Sequence, residues 1–288
     1  MEAWRDLHPF QSRYHALAGG VRMHYVDEGE GDEAVLMLHG NPTWGFMFRD
    51  FVKALSGKIR CVVPDHVGMG LSDKPQNYAY TLQQRAEDVT SLVASLGLKR
   101  VHLLVHDWGG AIGFGFARRK PELTGHIAIT NTGAFPDSHI PARIAVCRWP
   151  LLGPVIMRGF NGFARAAVSM AVTKPMPAAV CEGYLAPYGS WADRVAVNAF
   201  VRDIPMKPNH RSYAELAAIE ESLSQFRDRR ILIAWGEHDF CFTTHFRDRW
   251  REIYPEAEVV SLPGVGHYLF EDAADVLVPR ISDFLAGT

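Results

Sequence analysis

Short apolar runs rich in β-branched residues recur along the chain, and stretches with helical spacing of apolar positions separate them. An alternating segment at 21–28 predicts an early antiparallel strand. Continuous apolar runs predict buried central strands of a mostly parallel sheet, because helices cover both of its faces. These runs are 34–40, 59–65, 100–107, 126–132 and 231–236, with a later one at 258–264. Apolar periodicity predicts helices at 83–96 and 273–285.

The alternation of strands and helices stops between about Phe135 and Ser222. This stretch is dense in proline and in large apolar residues. A long insertion without strands inside an α/β sheet predicts a helical lid rather than a structureless loop. We therefore expect a core of residues 1–134 and 223–288 with a lid at 135–222. A lid buries part of its apolar surface against the ligand, so the substrate is expected to be hydrophobic.

Composition and charge exclude several classes of protein. The chain has 288 residues, 48% of them hydrophobic and 22% charged, which is ordinary for a globular enzyme. A net charge of −2 argues against a nucleic-acid partner and an anionic membrane partner. The four cysteines are scattered, and the charged N-terminus does not resemble a secretory signal. No apolar run is long enough to span a bilayer. A cytoplasmic protein with free thiols is expected.

The segment 103–110 carries the most informative chemistry. An apolar strand leads into Asp107, then into Trp108, two glycines and a predicted helix at 111–118. This is the setting of a nucleophile elbow, a tight strand-to-helix turn that exposes one side chain at the carboxyl edge of a sheet. The glycines allow the helix to pack closely on the strand. Asp107 stands where a serine is usual, and a helix-capping carboxylate is the alternative interpretation.

Two further residues follow the order nucleophile, acid, histidine that this fold uses. Asp239 comes after the strand at 231–236, and His267 lies in a glycine-flanked loop before the final helix. One histidine among thirteen means little by itself. His267 is a candidate because its loop, its order in the chain and Asp239 all agree.

The loop after the strand at 34–40 supplies the fourth element. In this fold that loop provides one oxyanion-hole amide and the residue after the nucleophile, Trp108, provides the other. Asn41 and Trp108 also carry side-chain N–H donors. Two converging neutral donors suit a large, weakly hydrated leaving anion. His39 is interpreted as a brace for the loop.

These residues resemble the haloalkane dehalogenase family of α/β-hydrolases, and within it the third subfamily. The likeness runs nearly end to end, through HGNPTW, PDHVGMGLSDKP, HDWGG, the aspartate after the penultimate strand, and GHYLFED. The chain is similarly close to the β-lactone decarboxylases of long-chain olefin biosynthesis. Four segments carry that second likeness: NTGAFP (131–136), RGFNGFARAA (158–167), APYGSW (186–191) and RDIPM (202–206).

The resemblance implies an eight-stranded sheet with helices on both faces, and a cofactor-free reaction without a metal. Asp107 would be the nucleophile, His267 the base, Asp239 its orienting acid, and Asn41 with Trp108 the anion-binding pair. A haloalkane would form an alkyl ester that water hydrolyses. A cis-dialkyl β-lactone would instead lose carbon dioxide and leave a cis-alkene. We place dehalogenation first and decarboxylation second.

The resemblance also bears on the acid and on partners. No glutamate lies near Asn131, so the branch of the family that takes its acid after that strand is excluded. The implied partner is a hydrophobic small molecule. A homo-oligomer remains open, as does association with other olefin-biosynthesis enzymes if the lactone is the substrate.

Other activities remain as alternatives. An epoxide hydrolase would use lid tyrosines, for which Tyr184 and Tyr188 are candidates. A serine esterase is disfavoured, because no serine occupies the elbow and Ser72 is expected to belong to a turn. A binding protein without catalysis is expected to have lost a member of the triad, whereas this chain keeps all three. A metal site at His238, Asp239 and Cys241 lacks a second cluster at ligand spacing.

Overall fold

The computed structural model describes residues 3–287, which form one eight-stranded sheet between layers of helices. The strands are β1 Arg13–Ala16, β2 Arg22–Glu28, β3 Glu33–Leu38, β4 Arg60–Pro64, β5 Arg100–Asp107, β6 Thr124–Thr132, β7 Ile231–Gly236 and β8 Glu258–Leu262. Their order is β1-β2-β4-β3-β5-β6-β7-β8. Strand β2 pairs in antiparallel fashion with both β1 and β4, and the pairs from β4 to β8 are parallel. The predicted fold class is confirmed.

Twelve α-helices are assigned in the described part of the chain. The first six are α1 Arg49–Leu55, α2 Leu82–Ser95, α3 Trp108–Arg119, α4 Ala142–Cys147, α5 Leu152–Pro154 and α6 Gly162–Met170. The others are α7 Ala178–Leu185, α8 Val195–Arg202, α9 Tyr213–Ser222, α10 Thr244–Ile253, α11 Leu269–Asp272 and α12 Ala274–Ala286. Short 3-10 turns occupy Ala3–Leu7, Ala18–Gly20, Gly45–Phe48, Ala192–Arg194 and Leu223–Phe226, and a π-turn occupies Val155–Gly159. None of the helices within residues 3–287 has the length and apolar character to cross a bilayer.

The apolar runs at 34–40, 59–65, 100–107, 126–132 and 231–236 form the buried middle of the sheet, as their pattern predicts. The prediction is wrong for the later run, which forms the edge strand β8, because an edge strand has a neighbour on one side only and none of its residues is buried. Every residue of β7 is buried, and in β5 only Arg100 is exposed. Strand β1 was not predicted, because its residues are largely exposed and show no apolar alternation. It gains its strand conformation from pairing with β2, which is a tertiary contact rather than a local preference.

The strand order places the chemistry at one edge of the sheet. Parallel strands β3, β5, β6, β7 and β8 all end at the same side, so the loops that follow them converge there. Asn41 follows β3, Asp107 ends β5 and Asp239 follows β7. His267 follows β8. The candidate residues therefore meet although more than a hundred positions separate some of them in the chain.

Between β6 and β7 the chain contains helices and no strand within the described residues. A buried ion pair ties the end of α8 to α2, because Arg85 Nη1 donates to Asp203 Oδ2 at 3.1 Å. The Arg85 guanidinium lies 3.6 Å from the centre of the Phe200 ring. Asp203 also accepts hydrogen bonds from Arg211 and Ser212. This network joins the inserted helices to the sheet-covering layer.

Replacing Asp203 with alanine is expected to lower the free energy of unfolding by about 3–5 kcal/mol, because a buried guanidinium loses its counter-charge. Urea denaturation followed by circular dichroism measures the change. Asp228→Ala, at a carboxylate whose side chain is 67% exposed, is the matched control and should shift stability by about 0.5 kcal/mol or less. A loss for Asp203→Ala as small as that of the control would show that the network contributes little.

Candidate active site

Asp107 lies at the turn between β5 and α3. Its φ of 52° and ψ of −127° are a strained conformation for a residue with a side chain. Gly109 makes the turn possible, since a Cβ there would lie 1.8 Å from the Leu38 carbonyl oxygen. The turn thus exposes one carboxylate at the sheet edge, as the sequence pattern predicts for an elbow.

The Asp107 side chain does not cap α3, so the capping alternative is not supported. Its Oδ1 instead accepts the Asn41 backbone N–H at 2.7 Å, and the Trp108 backbone N–H is a second amide that favours the ionised carboxylate. Gly40 has to be glycine, because a Cβ there would lie 1.8 Å from Asp107 Oδ1. The two amides form an oxyanion hole around the carboxylate carbon.

His267 lies between the two aspartates. Its Nδ1 is 2.7 Å from Asp239 Oδ2, and its Nε2 is 3.6 Å from Asp107 Oδ2. All three side chains are at least nine-tenths buried. Asp239 Oδ1 accepts the Cys241 backbone N–H at 2.6 Å. The Asp239 carboxylate therefore orients the imidazole so that its Nε2 faces Asp107.

The pKa values of Asp107 and His267 are both raised, for different reasons. Burial raises the pKa of the Asp107 carboxyl, although His267 and the two amides partly offset that effect. Burial alone would lower the pKa of His267, but the Asp239 carboxylate and the Asp107 carboxylate outweigh it and raise that pKa. Asp107 is the group whose ionised form can attack carbon, and His267 can accept a proton.

Asn131 is a site residue that sequence reasoning missed. Its Nδ2 donates to Asp239 Oδ2 at 2.9 Å and to the Gly236 carbonyl, while its Oδ1 accepts the Gly236 N–H at 2.8 Å. It adopts a left-handed φ of 32°. The available signal was its position at the end of β6, where sequence analysis considered it only as the place of an absent glutamate. Asn131 holds the end of β7 and the acid together.

Asn131→Ala is expected to lower the free energy of unfolding by about 2–3 kcal/mol, because it leaves buried polar groups of Gly236 and Asp239 unpaired. Urea denaturation measures the loss. Asn77→Ala, at an exposed asparagine, is the control and should change stability by less than about 0.5 kcal/mol. Equal losses in the two variants would mean that Asn131 does not brace the acid.

The side chains of Asn41 and Trp108 both line the cavity beside Asp107. Asn41 Nδ2 donates to the Val197 carbonyl at 3.1 Å, so one amide hydrogen is used and the second is left for an anion. The Trp108 indole N–H has no hydrogen-bond partner among the described residues. The pair can therefore offer two N–H donors to a leaving group. The Asn41 side chain is held in place by its hydrogen bond to Val197 of α8.

The polar residues of the two neighbouring loops brace the site. His39 Nδ1 bonds the Gly40 carbonyl at 2.8 Å, and its Nε2 accepts the His66 backbone N–H. Asp65 accepts the Gly45 N–H at 2.7 Å, and Ser72 donates to the Asp65 carbonyl. These contacts agree with the bracing and turn functions expected for His39 and Ser72.

A cavity of about 460 Å³ opens above Asp107. Its floor is formed by four candidate residues and one further aromatic ring: Asn41, Asp107, Trp108, His267 and Phe242. Its walls are mainly apolar and come from the inserted helices, with Ile144, Ile156, Phe163 and Met170 among them. Such a cavity suits a hydrophobic ligand with its reactive carbon near Asp107.

The lid tyrosines do not face this cavity. Tyr184 donates to Glu271 at 2.6 Å and Tyr188 to the Thr43 carbonyl at 3.2 Å, and neither lines the cavity. An epoxide hydrolase needs such hydroxyls beside the nucleophile, so the packing interpretation of both tyrosines is favoured.

The imagined metal ligands His238, Asp239 and Cys241 do not form a metal-binding group in residues 3–287. Three other side chains come together beside the cavity that Asp137 and His139 line, since His139 and His245 each bond one oxygen of Asp137, at 2.6 and 2.8 Å. Arg249 lies 3.6 Å from the same carboxylate. The Asp137 carboxylate is therefore paired with two histidines and an arginine of this chain in an ion-pair cluster.

Comparison with known proteins places this site in context. Residues 33–274 match the profile of a family described as the alpha/beta hydrolase fold. A cis-3-alkyl-4-alkyloxetan-2-one decarboxylase of Shewanella oneidensis is 45% identical over 98% of this chain and 90% of its own length. A protein of the same name from Xanthomonas campestris pv. campestris is 44% identical, with 92% and 93% covered.

Haloalkane dehalogenases are also similar. Haloalkane dehalogenase 2 of Mycobacterium tuberculosis is 31% identical, with 96% of this chain and 95% of that protein covered. A crystal structure of a haloalkane dehalogenase from Bradyrhizobium elkani has a TM-score of 0.87 at 23% identity, with 96% and 98% covered. That structural likeness supports the fold.

Proposed function

The chain belongs to the α/β-hydrolase family, in the branch that holds oxetanone decarboxylases and haloalkane dehalogenases, and we propose that it decarboxylates cis-3-alkyl-4-alkyl β-lactones. The observation that carries this proposal is the identity of 45% over 98% of the chain to a decarboxylase of such lactones, against 31% to a dehalogenase. Decarboxylation therefore takes precedence over the dehalogenation that sequence analysis places first.

The reaction begins with Asp107 as nucleophile. Its carboxylate oxygen attacks C4, the saturated ring carbon that carries the lactone oxygen, and the C4–O1 bond breaks. The released electron pair forms a carboxylate on C3. The bond between C3 and the carboxylate carbon then breaks, its electrons form the C3=C4 double bond, and the C4–Asp107 ester bond breaks. Carbon dioxide and an alkene leave, Asp107 is regenerated, and no water is consumed.

The stereochemistry of these steps accounts for a cis product. Attack by Asp107 inverts C4, and loss of carbon dioxide and aspartate from opposite faces follows. Inversion followed by anti elimination is equivalent to a net syn loss, so a cis-lactone gives a cis-alkene. The cavity has to hold both alkyl chains extended, which its apolar walls favour.

The donor pair and His267 stabilise charge during this reaction. The Trp108 indole N–H and the second Asn41 amide hydrogen receive the carboxylate as it leaves C4. His267 lies 3.6 Å from Asp107, where its raised pKa favours a charged form that stabilises the aspartate as it departs from C4. Asp239 orients the ring.

Dehalogenation is the second candidate function, and the oxyanion hole favours it. The Asn41 and Trp108 amides surround the Asp107 carboxylate, where a tetrahedral intermediate of ester hydrolysis would carry its negative charge. In this reaction neutral His267 activates water against the alkyl ester. A donor pair suited to a carboxylate also suits a halide.

We further propose that residues 135–222 act as the lid of a core formed by 1–134 and 223–288. The cavity is lined from both parts, and the Asn41 side chain bonds the Val197 carbonyl across them. Substrate entry would then require a gap between inserted helices.

Product analysis tests the proposed function. The wild-type protein is offered a cis-3,4-dialkyl β-lactone and, separately, 1,2-dibromoethane, and alkene, 3-hydroxy acid and bromide are measured. Alkene from the lactone, faster than bromide release, supports decarboxylation. Hydroxy acid in place of alkene would identify a lactone hydrolase, and bromide without alkene would identify a dehalogenase.

The rate of alkene formation is expected to fall on the acid side at a pH above the ordinary range of an aspartate. Only ionised Asp107 attacks C4, and burial raises its pKa, so activity is lost as the pH falls through that raised value. A profile of kcat/KM against pH measures the midpoint. An acid limb at or below the ordinary aspartate pKa would contradict the nucleophilic function of a buried Asp107.

A further inference from the structure

The charge of this chain is unevenly distributed. Residues 138–177 contain five lysines and arginines and no aspartate or glutamate, so the remainder of a chain with net charge −2 carries −7. The five cations are Arg143, Arg148, Arg158, Arg165 and Lys174. The nearest acidic residues in the chain on either side are Asp137 and Glu182. We call residues 138–177 the basic segment.

None of these five cations forms an ion pair within the described residues. Arg148 donates to the Ile204 carbonyl, and Arg158 donates to Gln76 and to the Trp191 carbonyl. The Arg158 guanidinium also lies 4.7 Å from the centre of the Trp191 ring. The basic segment therefore carries positive charge that pairs with no carboxylate of residues 3–287, and three of its cations, Arg143, Arg165 and Lys174, are exposed.

The same segment exposes large apolar side chains. Leu151 is 86% exposed, Phe160 72% and Trp149 60%. Leu152, Val155 and Met170 are exposed to a lesser extent. Six of the nine exposed large apolar residues found in the described chain lie in this one segment. Exposed aromatic and aliphatic residues beside unpaired cations are the pattern of a surface that lies in the interface of an anionic membrane.

We propose that the basic segment docks on the surface of an anionic lipid bilayer. Lysine and arginine are attracted to the negative headgroups, and the apolar side chains enter the boundary of the acyl chains. The net charge of the whole chain argues against an anionic membrane partner. That net charge, however, is the sum of a positively charged basic segment and a negatively charged remainder.

Docking would also place the cavity against the bilayer. Ile144, Ile156, Phe163 and Met170 of the basic segment line the cavity, and Met170 is in addition 45% exposed. A hydrophobic substrate dissolved in the membrane could pass between these side chains to Asp107 without crossing water. This consequence for substrate entry rests on the proposed function, whereas docking itself does not.

Vesicle co-sedimentation tests the proposal with the full chain. The protein is expected to sediment with vesicles of equimolar phosphatidylcholine and phosphatidylglycerol, to remain in solution with phosphatidylcholine alone, and to be released by salt. The double variant Leu151→Ser/Phe160→Ser should bind the anionic vesicles about tenfold more weakly or worse. Val276→Ser, at an exposed apolar residue of α12, is its control and should bind as the wild type does.

A charge variant makes the test independent of the apolar residues. Arg165→Gln should weaken vesicle binding about fivefold, whereas Arg251→Gln, outside the basic segment, should not. Absence of binding, equal binding to neutral vesicles, or unchanged binding of Leu151→Ser/Phe160→Ser would overturn the proposal. Self-association that this double variant abolishes in sedimentation velocity, without vesicle binding, would assign the surface to a second copy instead and would also overturn it.

Failure of docking and failure of the proposed function give different results. The double variant should turn over a short-chain, water-soluble cis-lactone at the wild-type rate, since neither side chain lines the cavity. If the wild type forms no alkene but still binds the anionic vesicles, decarboxylation is refuted and docking is not.

Discussion

Replacing Asp107 with alanine is expected to lower kcat for lactone decarboxylation by about 10⁴-fold or more, because no other group can form the ester. The carboxylate lies at the floor of the cavity, in the strained turn that ends β5. Within residues 3–287 the only other carboxylate in contact with His267 is Asp239, whose oxygens are occupied by His267, Asn131 and the Cys241 amide. Alkene release measured by gas chromatography gives the rate.

The control for this variant is Asp228→Ala, which removes an exposed carboxylate and should keep the wild-type rate. Thermal unfolding of Asp107→Ala checks that the protein is folded. A folded Asp107→Ala variant that produces alkene within about tenfold of the wild-type rate would refute nucleophilic catalysis by Asp107.

Replacing His267 with glutamine is expected to separate the two chemistries. Hydrolysis of an alkyl ester needs a base for water, so steady-state bromide release from 1,2-dibromoethane should fall about 10⁴-fold after a burst of about one equivalent. Decarboxylation consumes no water and needs His267 only to stabilise charge near Asp107. Alkene formation should therefore fall by a smaller factor, on the order of 10²-fold.

Rates of bromide and alkene release by the same preparation of His267→Gln measure this difference. His15→Gln, at a histidine of the edge strand β1, is the matched control and should leave both rates unchanged. Equal loss of both activities in His267→Gln would show that the lactone reaction also passes through a hydrolysed ester.

The sequence allowed the catalytic arrangement to be predicted because it depends on strand ends. Asn41, Asp107 and Asp239 end or follow buried strands, and His267 follows the edge strand β8. Because parallel strands end at one edge of the sheet, the four residues meet there. The apolar runs of β3 to β7 made those strands recognisable. Local pattern and topology together therefore specified which side chains meet.

Other features depend on contacts that no local pattern reveals. The Asn41 amide bonds Val197, which lies 156 positions away, and Asn131 bonds Asp239 over 108 positions. Strand β1 forms by pairing at an exposed edge. The net charge of the whole chain does not reveal the basic segment, because the acidic residues elsewhere cancel its charge. The proposed docking depends instead on which cations lack an ion-pair partner in the folded chain. These features are set by the three-dimensional structure and not by any local stretch of sequence.

Mass spectrometry of the His267→Gln variant tests most directly whether Asp107 forms an ester with substrate carbon. The variant is incubated separately with 1,2-dibromoethane and with a cis-3,4-dialkyl β-lactone, quenched in acid and digested. We predict that at least one compound adds its alkyl group to the peptide that contains Asp107, and that Asp107→Ala/His267→Gln gains no such mass. An unmodified Asp107 peptide with both compounds, while the wild type turns over either of them, would contradict covalent catalysis by Asp107.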